Sequence, residues 1–274
     1  MTNQVPVLMY HALTDTVSPP AGSLHISRQL FAEQLQWLAK NKYQSISIDE
    51  MTNAFAGKKD LSKSCVLSFD DGYHSLYRYA MPLLKKYHFT ATLFLTTGIT
   101  GNNDFDKAPG IGLATIPEGD RPLNWAEILT MRDNGWSVQS HSVTHADNSK
   151  ITPGELMVEL TESKKIIEAK LQQEVHHYAF PFGKYNAPSL QLVKQVGYRS
   201  AFTVHAGLCS AKSAIYRLPR LEIKSDDDTA TFSKKMTTGS GSLKEKIKSV
   251  ARDILFSDPR VKDMAKKIGG KNIN

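Results

Sequence analysis

Residues 65–72 read Cys-Val-Leu-Ser-Phe-Asp-Asp-Gly, a short apolar run that ends in two adjacent carboxylates and a glycine. The run Cys65–Phe69 predicts a buried strand, and Asp70-Asp71-Gly72 marks its end. Asp and Gly are also common turn formers, so the stretch alone allows an ordinary turn. Because adjacent side chains diverge, we expect Asp70 and Asp71 to divide their work, with one binding a metal and the other holding a water beside it.

The same succession of a strand and a helical stretch recurs on both sides of this segment. The predicted strands are Val5–Tyr10, Tyr43–Ile48, Cys65–Phe69, Ala91–Thr97, Trp136–Ser140, His177–Phe180, Tyr198–Val204 and Arg217–Ile223. Such alternation is typical of a parallel α/β barrel or of a doubly wound sheet. Eight units between residues 5 and 223 fit a barrel better.

Composition and length exclude several classes of protein. The chain has 274 residues, of which 41% are hydrophobic and 22% charged, which is ordinary for a globular protein and excludes general disorder. No apolar run reaches the ~18–20 residues of a membrane span. Two cysteines, Cys65 and Cys209, are too few for a disulfide scaffold or a four-cysteine zinc site.

Charge divides the chain in two. Residues 234–274 carry eleven basic and four acidic residues and account for the whole net charge of +7. Residues 1–233 are therefore formally neutral, and the sequence predicts no nucleic-acid partner. We expect a catalytic domain at 1–233 and a linker with a basic tail at 234–274. Apolar residues at helical spacing from Ile247 predict an amphipathic helix, which fits peripheral contact with a membrane and equally a helix docked on the barrel.

The amino-terminal residues bear on localisation. Met1–Pro6 has no basic segment followed by an apolar one, so no signal peptide is visible. The expectation is a cytoplasmic or membrane-peripheral protein as the chain stands, or a periplasmic or extracellular one if a leader was removed.

Histidines follow the fifth predicted strand. His141 and His145 are four residues apart and would share a face if the segment turned helically. A hydrogen-bonded surface pair is the simpler interpretation of two such histidines. With Asp71 as a third ligand, however, two imidazoles and a carboxylate leave one position open to water, as in catalytic metal sites.

Polar residues also follow two further strands. His11 comes just after the first strand, and residues 179–186, Ala-Phe-Pro-Phe-Gly-Lys-Tyr-Asn, follow the sixth. All four groups lie at carboxyl ends of predicted strands, which is where barrel enzymes gather their active sites. This joint pattern predicts one active site on one face.

The motifs Ser68-Phe69-Asp70-Asp71-Gly72, His141-Ser142-Val143-Thr144-His145 and Pro181-Phe182-Gly183 resemble those of the polysaccharide deacetylases, the carbohydrate esterases with a NodB homology domain. Within that family, Val7–His11 looks like the amino-terminal Tyr-His element of the poly-β-1,6-N-acetylglucosamine N-deacetylase branch. The resemblance covers roughly residues 5–223. It implies an α/β fold, a distorted (β/α) barrel of seven to eight parallel strands, and one divalent metal ion, zinc first, with cobalt, nickel or iron as alternatives.

The resemblance also implies roles for individual residues. Asp70 would be the general base, and Asp71, His141 and His145 would be the metal ligands. The late Leu-x-His element of many relatives is missing, which makes His11 the leading candidate for the general acid, with His205 as its rival. The expected substrate-binding residues are Tyr10, Gly72, Tyr73, Pro181, Phe182, Tyr185 and Arg220.

One departure from the family concerns the orientation of the base. Many relatives carry an arginine where this chain has Ala179, and a tyrosine where it has Phe182. Arg220 could orient Asp70 from another direction, and a purely structural salt bridge is an equal alternative for it.

The function that follows is a metal-dependent N-deacetylase that removes acetyl groups from N-acetylhexosamine units of a glycan. Two alternatives stay open. The same residues could remove formyl or acetyl groups from a lipid-linked sugar, or the protein could bind glycans without catalysis. Asp70 argues against the last, because a binding protein has no need of a base beside a metal.

Overall fold

The computed structural model describes residues 3–15, 19–108, 110–111, 116–245 and 247. Within them the strands are β1 Gln4–Val5, β2 Val7–Tyr10, β3 Leu13–Thr14, β4 Ile26–Ser27, β5 Gln44–Ser45, β6 Ser64–Asp71, β7 Ala91–Leu95, β8 Trp136–Ser140, β9 His177–Ala179, β10 Ser200–Phe202, β11 Cys209–Ser210 and β12 Leu221–Glu222. The α-helices are α1 Arg28–Lys40, α2 Ile48–Gly57, α3 Met81–Tyr87, α4 Trp125–Asp133, α5 Pro153–Leu171, α6 Ala187–Gln195 and α7 Thr229–Thr238.

Seven parallel strands form the main sheet, in the order β10-β9-β8-β7-β6-β2-β12, and β5 pairs with the beginning of β6. The expected α/β fold with seven to eight parallel strands is therefore confirmed. The neighbours β2 and β12, which pair Leu8 with Leu221, come from opposite ends of the folded chain.

The sheet curls until its two edges meet. The backbone N–H of Thr203, just after β10, donates to the carbonyl of Leu218, and the N–H of Leu218 donates to Ala201, both at 2.9 Å. The N–H of Arg220 donates to the carbonyl of His205 at 2.9 Å. The segment that leads into β12 thus bonds β10 on one side while β12 bonds β2 on the other, which makes the sheet a distorted barrel.

Side chains of the strands alternate between the barrel interior and the surrounding helices. In β6, Leu67 and Phe69 belong to the large apolar cluster shared with the helices, whereas Val66 packs in a smaller cluster with residues of other strands. Asp70 is in phase with Val66 and so faces the interior. The alternation of β6 therefore decides which of the two carboxylates points into the barrel.

The helices begin where the sequence supplies caps. Ser47, Asn124, Thr152 and Asn186 each accept a hydrogen bond from the backbone N–H three residues later, in capping boxes that start α2, α4, α5 and α6. Each cap satisfies N–H groups that have no partner within the helix. No helix among the described residues is long and apolar enough to cross a membrane.

Helix α7 lies across the boundary drawn at residue 233. Asp228 caps it by accepting from the N–H of Thr231 at 2.7 Å, and Phe232 and Met236 are buried. The ammonium of Lys235, which is 3% exposed, donates to Asp227 at 2.6 Å and to the carbonyl of Glu222 at 2.7 Å. The fold thus continues at least through this helix. The amphipathic helix expected beyond it lies, apart from its first residues, outside the described residues.

Candidate active site

A cavity of about 330 Å³ opens at the carboxyl ends of the barrel strands. Most of the sequence-predicted site residues line it: His11, Asp70, Asp71, Tyr73, His141, His145 and Phe182. Four segments that are far apart in the sequence thus meet at one place, as the barrel interpretation required.

Asp70 is held by a buried arginine. The Nη1 and Nη2 atoms of Arg220 donate to Oδ1 and Oδ2 of Asp70, each at 2.7 Å, and the Nε of Arg220 donates to the carbonyl of Thr203 at 3.0 Å. Arg220 is 0% exposed and Asp70 is 2% exposed. Burial alone would raise the pKa of Asp70, but the charges of Arg220 and His141 and the hydrogen bonds from Arg220 outweigh it and lower the pKa to about 2. Asp70 is therefore an ionised carboxylate with a fixed orientation.

Asp71 points into the same space because its backbone breaks the strand alternation. Its φ is 74°, a left-handed conformation that costs free energy for a residue other than glycine. Its Oδ1 atom lies 3.4 Å from Nε2 of His145 and 3.6 Å from Nε2 of His141. The left-handed backbone of Asp71 therefore lets the adjacent carboxylates of Asp70 and Asp71 both point into the cavity.

The two histidines meet on a turn that is not helical. Ser142 has φ 72° and His145 has φ 58°, and the Oγ of Ser142 accepts the backbone N–H of His145 at 2.9 Å. Glu159 on α5 accepts the N–H groups of Val143 and Thr144 at 2.8 and 2.9 Å. This carboxylate replaces the bonds that a helix would have supplied to the turn.

Both histidines present a free ring nitrogen to Asp71. The Nδ1–H of His141 donates to the carbonyl of Ala179 at 2.8 Å, so its lone pair is on Nε2. Burial lowers the pKa of His141 to about 4, and burial together with the charge of His141 lowers the pKa of His145 to about 2. At neutral pH both rings are neutral, which is the state that binds metals.

The residues present fit a divalent cation. Asp71, His141 and His145 each offer one ligand atom, and these atoms all lie within 4.8 Å of one another. The Oδ1 of Asp71 is buried and has no hydrogen-bond partner among the described residues. Burial and the charge of Asp70 raise the pKa of Asp71 well above its ordinary value, because an ionised Asp71 would give the pair of carboxylates more negative charge than Arg220 balances. A cation beside Asp71 would supply the missing charge.

Of the two histidines proposed as the acid, only His11 lines the cavity. Burial lowers its pKa, while the charges of Asp70 and Glu222 oppose that effect. His205 is 3% exposed and packs edge-on against Tyr185, with 5.9 Å between the ring centroids. The geometry therefore favours His11.

The expected substrate-binding residues separate into two groups. Phe182, 36% exposed, and Tyr73 form part of the cavity wall, and the Phe182 ring packs against His145 with 4.6 Å between centroids. Gly72 follows β6 with φ 109°, and an added Cβ would lie 2.8 Å from the Leu95 side chain. Glycine is therefore needed at this position for the conformation of the turn.

The other four expected contacts do not line the cavity. Tyr10 is 1% exposed, stacks on Phe69 and donates its hydroxyl to Gln34, because strand alternation turns it outward. Tyr185 and Pro181 are buried, and the guanidinium of Arg220 is engaged by Asp70 and Thr203. Contact of these four residues with substrate stays a prediction.

Sequence reasoning missed Glu159 and Glu222. Glu159 is 8% exposed and accepts from Thr144 Oγ1 at 2.6 Å in addition to the two backbone bonds. Glu222 ends β12 and lines the cavity. The position of Glu222 after the last strand was a usable signal, whereas Glu159 lies within a long helix where a glutamate ordinarily faces water.

We expect Glu159→Ala to weaken metal binding by about 10- to 100-fold, the usual effect of removing a residue that orients ligands. The change leaves two backbone N–H groups unpaired and releases the turn that carries His145. Zinc titration of the metal-stripped protein measures it. The matched control is Glu162→Ala, since Glu162 lies on the same helix with its side chain 46% exposed. Equal affinities for both variants would show that the turn holds without Glu159.

The chain is similar to known deacetylases. The polysaccharide deacetylase family model matches residues 57–201, more than half of the chain. YxkH of Bacillus subtilis (strain 168), which bears a polysaccharide deacetylase name, is 28% identical over 221 residues, or 80% of this chain and 71% of YxkH. Poly-β-1,6-N-acetyl-D-glucosamine N-deacetylase of Staphylococcus aureus (strain MRSA252) is 24% identical over 204 residues, or 73% and 68%. The solved structure of the Streptococcus pyogenes deacetylase PplD in complex with acetate has a TM-score of 0.73 and 26% identity, and the match covers 86% of this chain and 99% of PplD.

Proposed function

The chain belongs to the polysaccharide deacetylase family, and we propose that it is a metal-dependent N-deacetylase acting on N-acetylhexosamine units of a glycan. The observation that carries the proposal is an ionised carboxylate, Asp70, fixed by Arg220 beside the Asp71–His141–His145 cluster in an open cavity. A binding protein would have no use for a base held at this position.

The residues of the chain divide the hydrolysis among them. Asp71, His141 and His145 would hold a divalent metal, which when bound would polarise the amide carbonyl and lower the pKa of water. Asp70 accepts a proton from the attacking water, since each of its oxygens keeps a lone pair beyond its bond to Arg220. The protonated imidazole of His11 donates a proton to the nitrogen as the C–N bond breaks and becomes neutral. The products are acetate and a glucosamine-type amine.

The cavity wall suits a sugar ring. Phe182, which is 36% exposed, presents an aromatic ring beside the metal cluster, and such rings commonly pack on apolar sugar faces. The Staphylococcus aureus relative is named for poly-β-1,6-N-acetyl-D-glucosamine. We infer an N-acetylated glycan of related chemistry as the substrate of this chain.

The test is acetate release from N-acetylglucosamine oligosaccharides by metal-loaded protein. We expect activity that a chelator abolishes and that added zinc, cobalt or nickel restores. The same assay includes formylated and acetylated lipid-linked sugars and reads the released acid by mass. Formate from the lipid-linked sugar alone would move the assignment to that substrate class, and release of neither acid would leave the protein as a glycan binder.

We expect His11→Ala to lower turnover of acetamide substrates by about 100-fold or more, because an amine leaves poorly without a proton. The loss should be much smaller with an activated acetyl ester, whose leaving group needs no proton, and bound metal should be unchanged. Burial lowers the pKa of His11 below its ordinary value of 6.5. As pH rises, His11 therefore loses its proton already below pH 6.5, and wild-type activity should start to fall with rising pH in that range.

The matched control for His11→Ala is His205→Ala, which removes the rival histidine outside the cavity lining. Acetate release, ester hydrolysis and metal content are measured for both variants. If His205→Ala spares the ester and loses the amide while His11→Ala is benign, the roles given to the two residues are reversed.

A further inference from the structure

A second cluster of ligand-type side chains lies at the opposite end of the barrel from the cavity. His177 begins β9, His176 precedes it, and Asp49 is the second residue of α2. Each offers one ligand atom, and the three atoms lie within 4.8 Å of one another. The deacetylase site uses none of these residues.

His176 lies between two carboxylates, and in its neutral form one of its ring nitrogens carries no proton. Its Nε2 lies 2.8 Å from Oε2 of Glu174, which can only accept, so the ring proton is on Nε2. In the neutral ring, Nδ1 then presents a lone pair to Oδ2 of Asp49 at 3.3 Å. In that form two acceptors face each other, and either a proton on Nδ1 or a bound cation has to lie between them.

His177 repeats the arrangement on the other oxygen of Asp49. Its Nδ1 is bonded to Oγ of Ser200 at 2.8 Å, and its Nε2 lies 3.3 Å from Oδ1 of Asp49. The side chain is 1% exposed, and Nε2 has no hydrogen-bond partner among the described residues. A buried imidazole nitrogen is thus aimed at the carboxylate without bonding it.

The distances agree with metal coordination better than with hydrogen bonds. Nitrogen and oxygen atoms that hydrogen-bond are usually about 2.9 Å apart. Ligand atoms that each lie about 2.0–2.1 Å from a tetrahedral zinc ion are about 3.4 Å apart. Both separations between Asp49 and the histidines are 3.3 Å, one to each carboxylate oxygen, so Asp49 would hold the ion through both oxygens.

The net charge around the cluster and the hydrogen bonds to its histidines also favour a bound cation. Asp49 and Glu174 bring two negative charges, against which Arg199 brings one positive charge from a side chain that is 59% exposed, 3.6 Å from Oδ1 of Asp49. The outer nitrogens of the histidines are held by Glu174 and Ser200, and ligating histidines are typically held in this way.

We propose that Asp49, His176 and His177 bind one zinc-type divalent cation, with the remaining position filled by water. The site joins the start of α2 to the start of β9, which are 127 positions apart in the chain. Its role is therefore structural, because fixing two such distant segments reduces the freedom of the unfolded chain.

The test counts bound zinc after metal-stripped protein is equilibrated with zinc chloride alone. We expect two equivalents for the wild type and one for Asp71→Asn, which weakens the cavity site. Asp49→Asn and His177→Ala should each lose one equivalent. Asp49→Asn is the safer variant for folding, since its side chain is 38% exposed. The matched control is His88→Asn, which removes an exposed histidine. The backbone of residue 88 is left-handed, a conformation that asparagine tolerates, so this variant should keep two equivalents of zinc.

Melting temperature gives a second readout that is independent of activity. Zinc should raise the melting temperature of Asp71→Asn and leave that of Asp71→Asn/His177→Ala unchanged. One equivalent in the wild type, lost in Asp71→Asn, would overturn the proposal, as would two equivalents kept by Asp49→Asn and His177→Ala. One equivalent kept by Asp71→Asn and lost by Asp49→Asn would support this site and count against a metal in the cavity.

Discussion

The variant Asp70→Asn is expected to lose about 10²–10⁴-fold in turnover of acetylated oligosaccharides while it keeps its bound metal. Asparagine has the size of aspartate and can still accept a hydrogen bond from Arg220, but its amide cannot take a proton from water at neutral pH. Acetate release and metal content of the same protein sample measure the two effects. Because Arg220 loses its counter-charge, the folded fraction is measured by circular dichroism and turnover is expressed per folded molecule.

The matched control is Asp71→Asn, which changes the neighbouring carboxylate in the same way. Here we expect both metal and activity to fall, since a neutral amide is a poor ligand for zinc. If Asp70→Asn lost the metal while Asp71→Asn kept both metal and activity, the roles assigned to the two residues would be reversed.

The variant Arg220→Met is expected to destabilise the protein by about 3–5 kcal/mol, the usual cost of leaving one charge of a buried pair without its partner. Asp70 is 2% exposed and receives two hydrogen bonds from Arg220, so the little water that reaches it from the cavity compensates poorly for their loss. Urea denaturation of metal-stripped protein measures the free energy of unfolding. The double variant Asp70→Asn/Arg220→Met has no unpaired charge and should recover part of the loss. If it is as unstable as the sum of the single changes, the pair is not coupled.

The same substitution has a pH signature with a definite sign. In the wild type the pKa of Asp70 is lowered from 3.8 to about 2, so the ion pair stabilises the fold above pH 4 and this contribution is lost as pH falls towards 2. Without Arg220, burial raises the pKa of Asp70, and the base becomes protonated at higher pH. The acidic limb of the activity profile should therefore move upward in Arg220→Met, and an unmoved limb would assign it to another group.

The strands could be predicted from the sequence because they are buried on both faces, and such strands read as short apolar runs. The location of the site followed from the same pattern, since polar residues after four strands of a barrel must meet at one rim. Helix α7 could not be predicted in this way. Its segment is rich in Thr, Ser and Lys, and it is fixed by the Asp228 cap and by the buried pair of Lys235 with Asp227.

Within the site, the local backbone conformation could not be predicted from the sequence. The spacing of His141 and His145 would put them on one face only if the segment were helical. The turn that brings them together instead depends on Glu159, a contact between distant residues that no local pattern shows. Arg220 was left between two roles because only the closed ring brings it to Asp70. Tyr10 was a different failure: it alternates with Met9 and His11, which line the cavity, so strand periodicity alone should have placed it in the core.

The pairing of Asp70 with Arg220 joins residues 150 positions apart. During synthesis at the ribosome, the strand that carries Asp70 emerges long before the segment that neutralises it and closes the ring. Until then the carboxylate can enter the interior only at the cost of burying a bare charge. We therefore expect a chain whose synthesis stops before β12 to stay open and accessible to proteases. A closed barrel then forms only from a chain that has been synthesised at least as far as β12.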